Sequence, residues 1–127
     1  MTKNEILEFI KELPSAAAVT PWEGDFYSTV LKHGDGKWFG VVLKASPNFL
    51  ERYGVPLEKC VVLNLKCPSD LREFLCEKHK GVILPAYHMN KTHWISIVLS
   101  SGVPDEDVKR LIRLSYDITD GTKEKRL

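Results

Sequence analysis

Apolar residues recur at two periods along this chain, and the switches between them predict its elements. Ile6, Phe9, Ile10 and Leu13 repeat at helical spacing behind Thr2-Lys3-Asn4-Glu5, which has the form of a capping box. The spacing predicts an amphipathic helix that stops at Leu13-Pro14, because a proline ring disfavours helical geometry in the residue before it. Residues 15–24 read as a surface connector in which Trp22 anchors against the edge of the core. Two β-rich runs follow, 26–33 and 37–44, and Gly34-Asp35-Gly36 between them supplies the positive φ of a tight hairpin turn.

Ser46-Pro47 reads as N-cap and first helical residue and Gly54 as the residue past the C-cap. This predicts a short helix over 47–53 with Phe49, Leu50 and Tyr53 inward. Residues 60–66 alternate, with Val61, Leu63 and Leu65 on one face, as a strand requires. Pro68-Ser69-Asp70 opens a second long helix, whose inward face is predicted to hold Leu71, Phe74, Leu75 and Lys78. Lys78-His79-Lys80-Gly81 closes it with basic residues at the negative end of the dipole. A short strand over 82–84 stops at Pro85, and a longer one over 92–100 places His93, Ile95, Ile97 and Leu99 on the core side. The segment 85–94 is then the loop between them. After Ser101-Gly102-Val103-Pro104 a last helix buries Val108, Leu111, Ile112, Ser115 and Tyr116 and turns Lys109, Arg110 and Arg113 outward. Helices interspersed among hairpin-connected strands predict an α+β fold, a small antiparallel β-sheet with helices packed on it. One domain over 1–119 and a flexible tail over 120–127 follow from where the periodicity ends.

Composition narrows this picture. At 127 residues and 43% hydrophobic the chain suits one core that removes about two-thirds of the unfolded chain's surface from water. Eighteen Lys+Arg against seventeen Asp+Glu leave a formal net charge of +1, so attraction to nucleic acid has to come from charge placement. Three cysteines, an odd number without close pairing, argue against a disulfide framework. No signal-peptide pattern and no apolar run of about 20 residues is present, which predicts a cytoplasmic protein without a membrane partner.

The densest chemistry lies in Tyr87-His88-Met89-Asn90-Lys91-Thr92-His93-Trp94. His88 and His93 invite a metal reading, but no Asp or Glu lies between Gly81 and Pro104 and no third ligand is at hand, so no metal or other cofactor is expected. A nucleophile built from Cys60, Cys67 or Cys76 with His88, or from Ser96 or Ser115 with His93, lacks any supporting motif. Gly34-Asp35-Gly36-Lys37 does not open a helix and so makes no phosphate cradle. The chain therefore does not read as an enzyme.

Pro21-Trp22, Gly36-Lys37-Trp38-Phe39-Gly40, Val61 to Lys66, Tyr87-His88-Met89-Asn90-Lys91 with His93-Trp94-Ile95, and Ser115-Tyr116 occur in an order that resembles the MmcQ/YjbR family. The resemblance implies a bacterial CyaY-like α+β domain with a double-wing arrangement, a type often described as DNA-binding. On that basis two expectations stand. The first is weak, salt-dependent DNA binding, mainly to phosphates, through the hairpin tip and the 87–94 loop, with Lys37, His88, Lys91, Lys109, Arg110 and Arg113 as contacts. The second is an adaptor for a small molecule or protein, with Lys66, His88, Asn90, Trp94, Ser115 and Tyr116 forming either a polar pocket or a structural polar cluster.

Overall fold

The computed structural model describes residues 1–121. Among them an antiparallel six-stranded sheet carries four α-helices on its two faces. The chain opens with α1 (Lys3–Phe9), extended by a 3-10 turn at Ile10–Glu12. Both halves of the capping box form: Glu5 N–H donates to Thr2 Oγ1 and Thr2 N–H to Glu5 Oε1. Then come β1 (Ala17–Val19), β2 (Thr29–Lys32), β3 (Trp38–Lys44), α2 (Pro47–Arg52), β4 (Val61–Lys66), α3 (Ser69–Lys78), β5 (Ile83–Pro85), β6 (Trp94–Val98) and α4 (Asp105–Thr119). The strands lie in the order β1-β2-β3-β4-β6-β5. β6 inserts between β4 and β5, so α3 carries the chain across it.

Alternation along the strands sorts the side chains into two layers. On the first face Leu31, Val42, Leu63, Leu65, Ile83, Ile95 and Ile97 meet Ile6, Phe9 and Ile10 of the N-terminal helix and Val108, Ile112 and Tyr116 of α4. On the second, Val62, Leu84 and Val98 meet Phe49 and Leu50 of α2. The α2 boundary follows its predicted signals: Ser46 accepts from the Phe49 N–H, and Gly54 takes φ +68° just beyond the end.

Three sequence expectations change. The connector contains β1, an edge strand of Ala and Val too short to show a period. The second strand begins at Thr29 instead of Phe26, because Asp25 Oδ1 accepts from the N–H groups of Tyr27 and Ser28 and holds a turn there, leaving Phe26 88% exposed. In α3 Leu75 is buried but Phe74 is 58% exposed, with Lys78 Nζ 5.7 Å from its ring centroid. The 120–127 tail expected from the sequence lies, past Gly121, outside the described residues.

A bulge in the first hairpin decides which face each of its aromatic residues takes. Lys32 pairs with Trp38 and Leu31 with Gly40, so Phe39 has no partner on β2. The extra residue lets Phe39 enter the first core layer while Trp38 and Val41 stay on the second face. The Ser115 hydroxyl of α4 donates to the Phe39 carbonyl at 2.5 Å and accepts from the Lys66 N–H at 2.9 Å, tying the helix to the bulge and to the end of β4. Gly40 beside it leaves no room for a side chain, since a Cβ would lie 2.9 Å from Leu31 Cδ1.

Candidate functional site

The α2 helix covers only one end of the second sheet face. Over the other end lie two loops, the connector between β1 and β2 and the loop between β5 and β6. Between them a cavity of about 270 Å³ opens, with Val41, Leu43 and Asn64 of the sheet as its floor and Trp22, Asp25, Ser28, Trp38, His88 and Met89 around it. Trp22 and Trp38 remain 42% and 39% exposed, and their rings meet edge to face with centroids 5.8 Å apart and planes at 88°. Two half-exposed tryptophans in contact are unusual on a folded surface, where large apolar patches mark interaction sites.

A buried polar network shapes the cavity wall. Asn64 is 1% exposed. Its Nδ2 donates to the Tyr87 carbonyl at 2.8 Å, its Oδ1 accepts from Ser96 Oγ at 2.5 Å, and Ser96 Oγ in turn accepts from the Tyr87 N–H at 2.8 Å. This three-way lock fixes the start of the β5–β6 loop onto the sheet. Tyr87 then packs on Phe49, and His88 stacks on Tyr87 with ring centroids 3.8 Å apart. His88 holds φ +59°, a left-handed conformation that costs a residue with a Cβ about 1 kcal/mol. The strained residue is one of the two, with Met89, that the loop presents at the cavity. Further along, Asn90 Oδ1 accepts from the N–H groups of Thr92 and His93, and Lys91 Nζ donates to the Ala86 carbonyl at 3.0 Å.

The charge at the cavity is a carboxylate. Hydrogen bonds from the Ser28 side chain, and then from the Ser28 and Tyr27 backbone, hold Asp25 below the usual carboxylate range. Next to it the Tyr27 ring takes Lys3 Nζ at 4.0 Å and Lys44 Nζ at 4.5 Å.

The polar cluster expected from the sequence does not assemble as one site. Lys66 pairs with Trp94 on the second face, and His88 and Asn90 belong to the loop over that face, whereas Ser115 and Tyr116 project from α4 onto the first. The six-stranded sheet separates them, and a strand's alternation cannot reveal on which side a later helix docks. Ser115 and Tyr116 hold structure: the Tyr116 hydroxyl donates to the Pro14 carbonyl, and its ring stacks on buried His33, whose Nε2 lies 2.8 Å from Thr119 Oγ1. Pro14, His33 and Tyr116 border a larger groove of about 700 Å³, lined also by Asp35, Arg113, Asp117 and Asp120.

The basic candidates are likewise divided. Lys109 pairs with Glu106 and Arg110 with Asp107, each at 3.3 Å, and the Arg113 guanidinium lies 4.8 Å from the Phe9 ring centroid. Lys37 sits by the end of α4, where its Nζ lies beside Gly121. Lys91 is on the loop over the second face. Among the described residues no group of three or more His, Cys, Asp or Glu is placed to hold a metal ion. Burial pushes the Cys67 thiol up to about 11 and raises that of Cys76, which is the reverse of an activated nucleophile.

Residues 11–118 match the family model described as YjbR. The chain belongs to the YjbR family. It is 34% identical over 121 residues to the Bacillus subtilis uncharacterised protein YyaQ, an alignment covering 94% of this chain and 98% of that one. It is 28% identical to the Escherichia coli uncharacterised protein YjbR, covering 91% and 85%. A crystal structure of a Pseudomonas syringae protein superposes with a TM-score of 0.82 at 28% identity, covering 94% of this chain and all of that one. A Deinococcus radiodurans protein shares the fold with a TM-score of 0.73 at 24% identity, over 92% of this chain and 77% of that one.

Within the YjbR motif, Trp38 and His88 are at the cavity, whereas Lys66, Ser115 and Tyr116 serve the scaffold through backbone or side-chain bonds. The sequence pattern did not mark Asp25, Ser28, Trp38 and Met89 as lining residues, and Trp22, expected as an anchor at the core edge, stands half-exposed at the cavity. One signal was present: Asn64 is the polar residue inside the otherwise apolar run Val61 to Leu65, and a polar side chain buried there demands a partner.

Proposed function

We propose that this YjbR domain is a ligand-binding module, not an enzyme, and that the Trp22–Trp38 cavity receives a small molecule or a single side chain. The observation that carries the reading is the pair of half-exposed tryptophans over a sheet floor, beside a residue held in a strained conformation. The volume is at the small end for ligand pockets and suits a compact group. The unpaired thiols of Cys60, Cys67 and Cys76 fit a reducing cytoplasm, and among the described residues no helix is long and apolar enough to cross a membrane.

DNA binding through phosphate contacts draws less support. Lys109 and Arg110 are engaged with carboxylates of their own helix, and Lys91 lies across the sheet from them. A fragment screen by thermal shift tests the ligand reading. Compounds that raise the melting temperature of the parent should lose most of that effect in Trp38→Ala, whose change lies at an exposed position. Equal shifts in parent and variant, or no stabilising fragment, would refute it.

A further inference from the structure

Resting on that reading of the cavity, we infer that its ligand carries a quaternary or methylated ammonium head, which the perpendicular faces of Trp22 and Trp38 and the Asp25 carboxylate would receive. Three observations converge. Planes at 88° let the two indoles wall the cavity at a right angle, so a compact head in the corner meets two π-faces at once. Indole is the strongest of the aromatic partners for a cation. Val41, Leu43 and Met89 offer methyl-sized apolar contact, as suits a head whose charge is cloaked in methyl groups, and Ser28, Asn64 and His88 complete the lining.

Asp25 supplies the counter-charge. Its Oδ1 is fixed by the Tyr27 and Ser28 N–H groups, so the carboxylate is oriented before any ligand arrives. Lys3 is near enough to favour the charged form of Asp25, but neither Lys3 nor Lys44 lines the cavity. Lys3 donates to the Tyr27 carbonyl and borders a separate hollow with Tyr27, while Lys44 lies over the same ring. Asn64 contributes at the floor: one amide N–H goes to Tyr87, and the other has no protein acceptor among the described residues, leaving a donor for an oxygen on the ligand's tail.

A free metabolite and a methylated lysine in a protein carry the same head, so both sources enter the test. The full chain is titrated, by intrinsic fluorescence and calorimetry, with choline, with its neutral isostere 3,3-dimethyl-1-butanol, and with a short peptide containing trimethyllysine. Choline or the peptide should bind at least about 10-fold more tightly than the isostere, because the shapes match and only charge differs. Whichever of the two binds more tightly identifies the source. Asp25→Asn keeps an acceptor oxygen for the turn and should abolish most of the preference for charge. Trp38→Phe, which keeps a ring, should reduce it. Equal binding of choline and the isostere would overturn the cation assignment and leave the cavity as an apolar site. Binding of fragments from the thermal screen at Trp38, with no binding of choline or the peptide, would do the same. If nothing binds, cation assignment and ligand reading fall together.

Discussion

Removing the Asn64 side chain is the sharpest way to ask whether the cavity wall is built by the Asn64–Ser96–Tyr87 network. In Asn64→Ala, Ser96 Oγ loses its acceptor and the Tyr87 carbonyl loses its donor. Ser96 is fully buried and Tyr87 half-buried, so each loss carries part or all of a desolvation penalty of about 1–3 kcal/mol. The sum is about 2–5 kcal/mol, a large share of the roughly 5–15 kcal/mol that holds a domain folded. Ser96→Ala removes the acceptor of the Tyr87 N–H as well as the donor to Asn64. The two changes share one bond, so the double variant should cost about 1–2 kcal/mol less than the two single costs combined. Urea unfolding of the parent, both single variants and the double variant measures all four values. A cost below about 1 kcal/mol for Asn64→Ala, or simple additivity, would show that the loop is held by its aromatic stacking on Phe49 instead.

Other expectations rest on the same geometry. Ser115→Ala orphans the Phe39 carbonyl at the bulge and should destabilise the fold by about 1–3 kcal/mol in urea, while leaving ligand binding at the opposite face unchanged. His88→Gly relieves a left-handed φ and gives up ring stacking on Tyr87, so stability should move by no more than about 1 kcal/mol while affinity falls, as read by calorimetry. Burial raises the Cys67 thiol from 9.0 to about 11, so between these values the unfolded chain releases a proton that the folded one keeps. That contribution to stability is constant below pH 9 and is lost as pH rises to about 11, so the decline in melting temperature over this window should be shallower in Cys67→Ala than in the parent.

Periodicity made most of the scaffold legible. The capping box, Ser46-Pro47 with Gly54, and the alternation in Val61 to Lys66 each specify a local conformation that the fold retains. The misses have a common cause, which is that tertiary context decides them. Ala17–Val19 becomes a strand only because β2 offers it an edge. Asp25 becomes a lining residue because its turn shortens β2. Tyr116 and His88 share a family motif yet lie on opposite faces, since no local signal says which side of the sheet α4 covers. The loop that carried most of the candidate chemistry contributes chiefly His88 and Met89 to the cavity, while its Asn90 and Lys91 bond to the loop itself.

The central claim is that the Trp22–Trp38 cavity, and not the basic face of α4, is where this domain meets its ligand. Chemical-shift mapping of the ¹⁵N-labelled chain against the stabilising fragments and, separately, against duplex DNA at low salt tests it most directly. Fragments should displace the indole N–H signals of Trp22 and Trp38 and the amides of Asn64 and His88 while Lys109, Arg110 and Arg113 stay in place. Shifts confined to Lys37, Lys109, Arg110 and Arg113 on adding DNA, with the indole signals of Trp22 and Trp38 unmoved by every fragment, would contradict it.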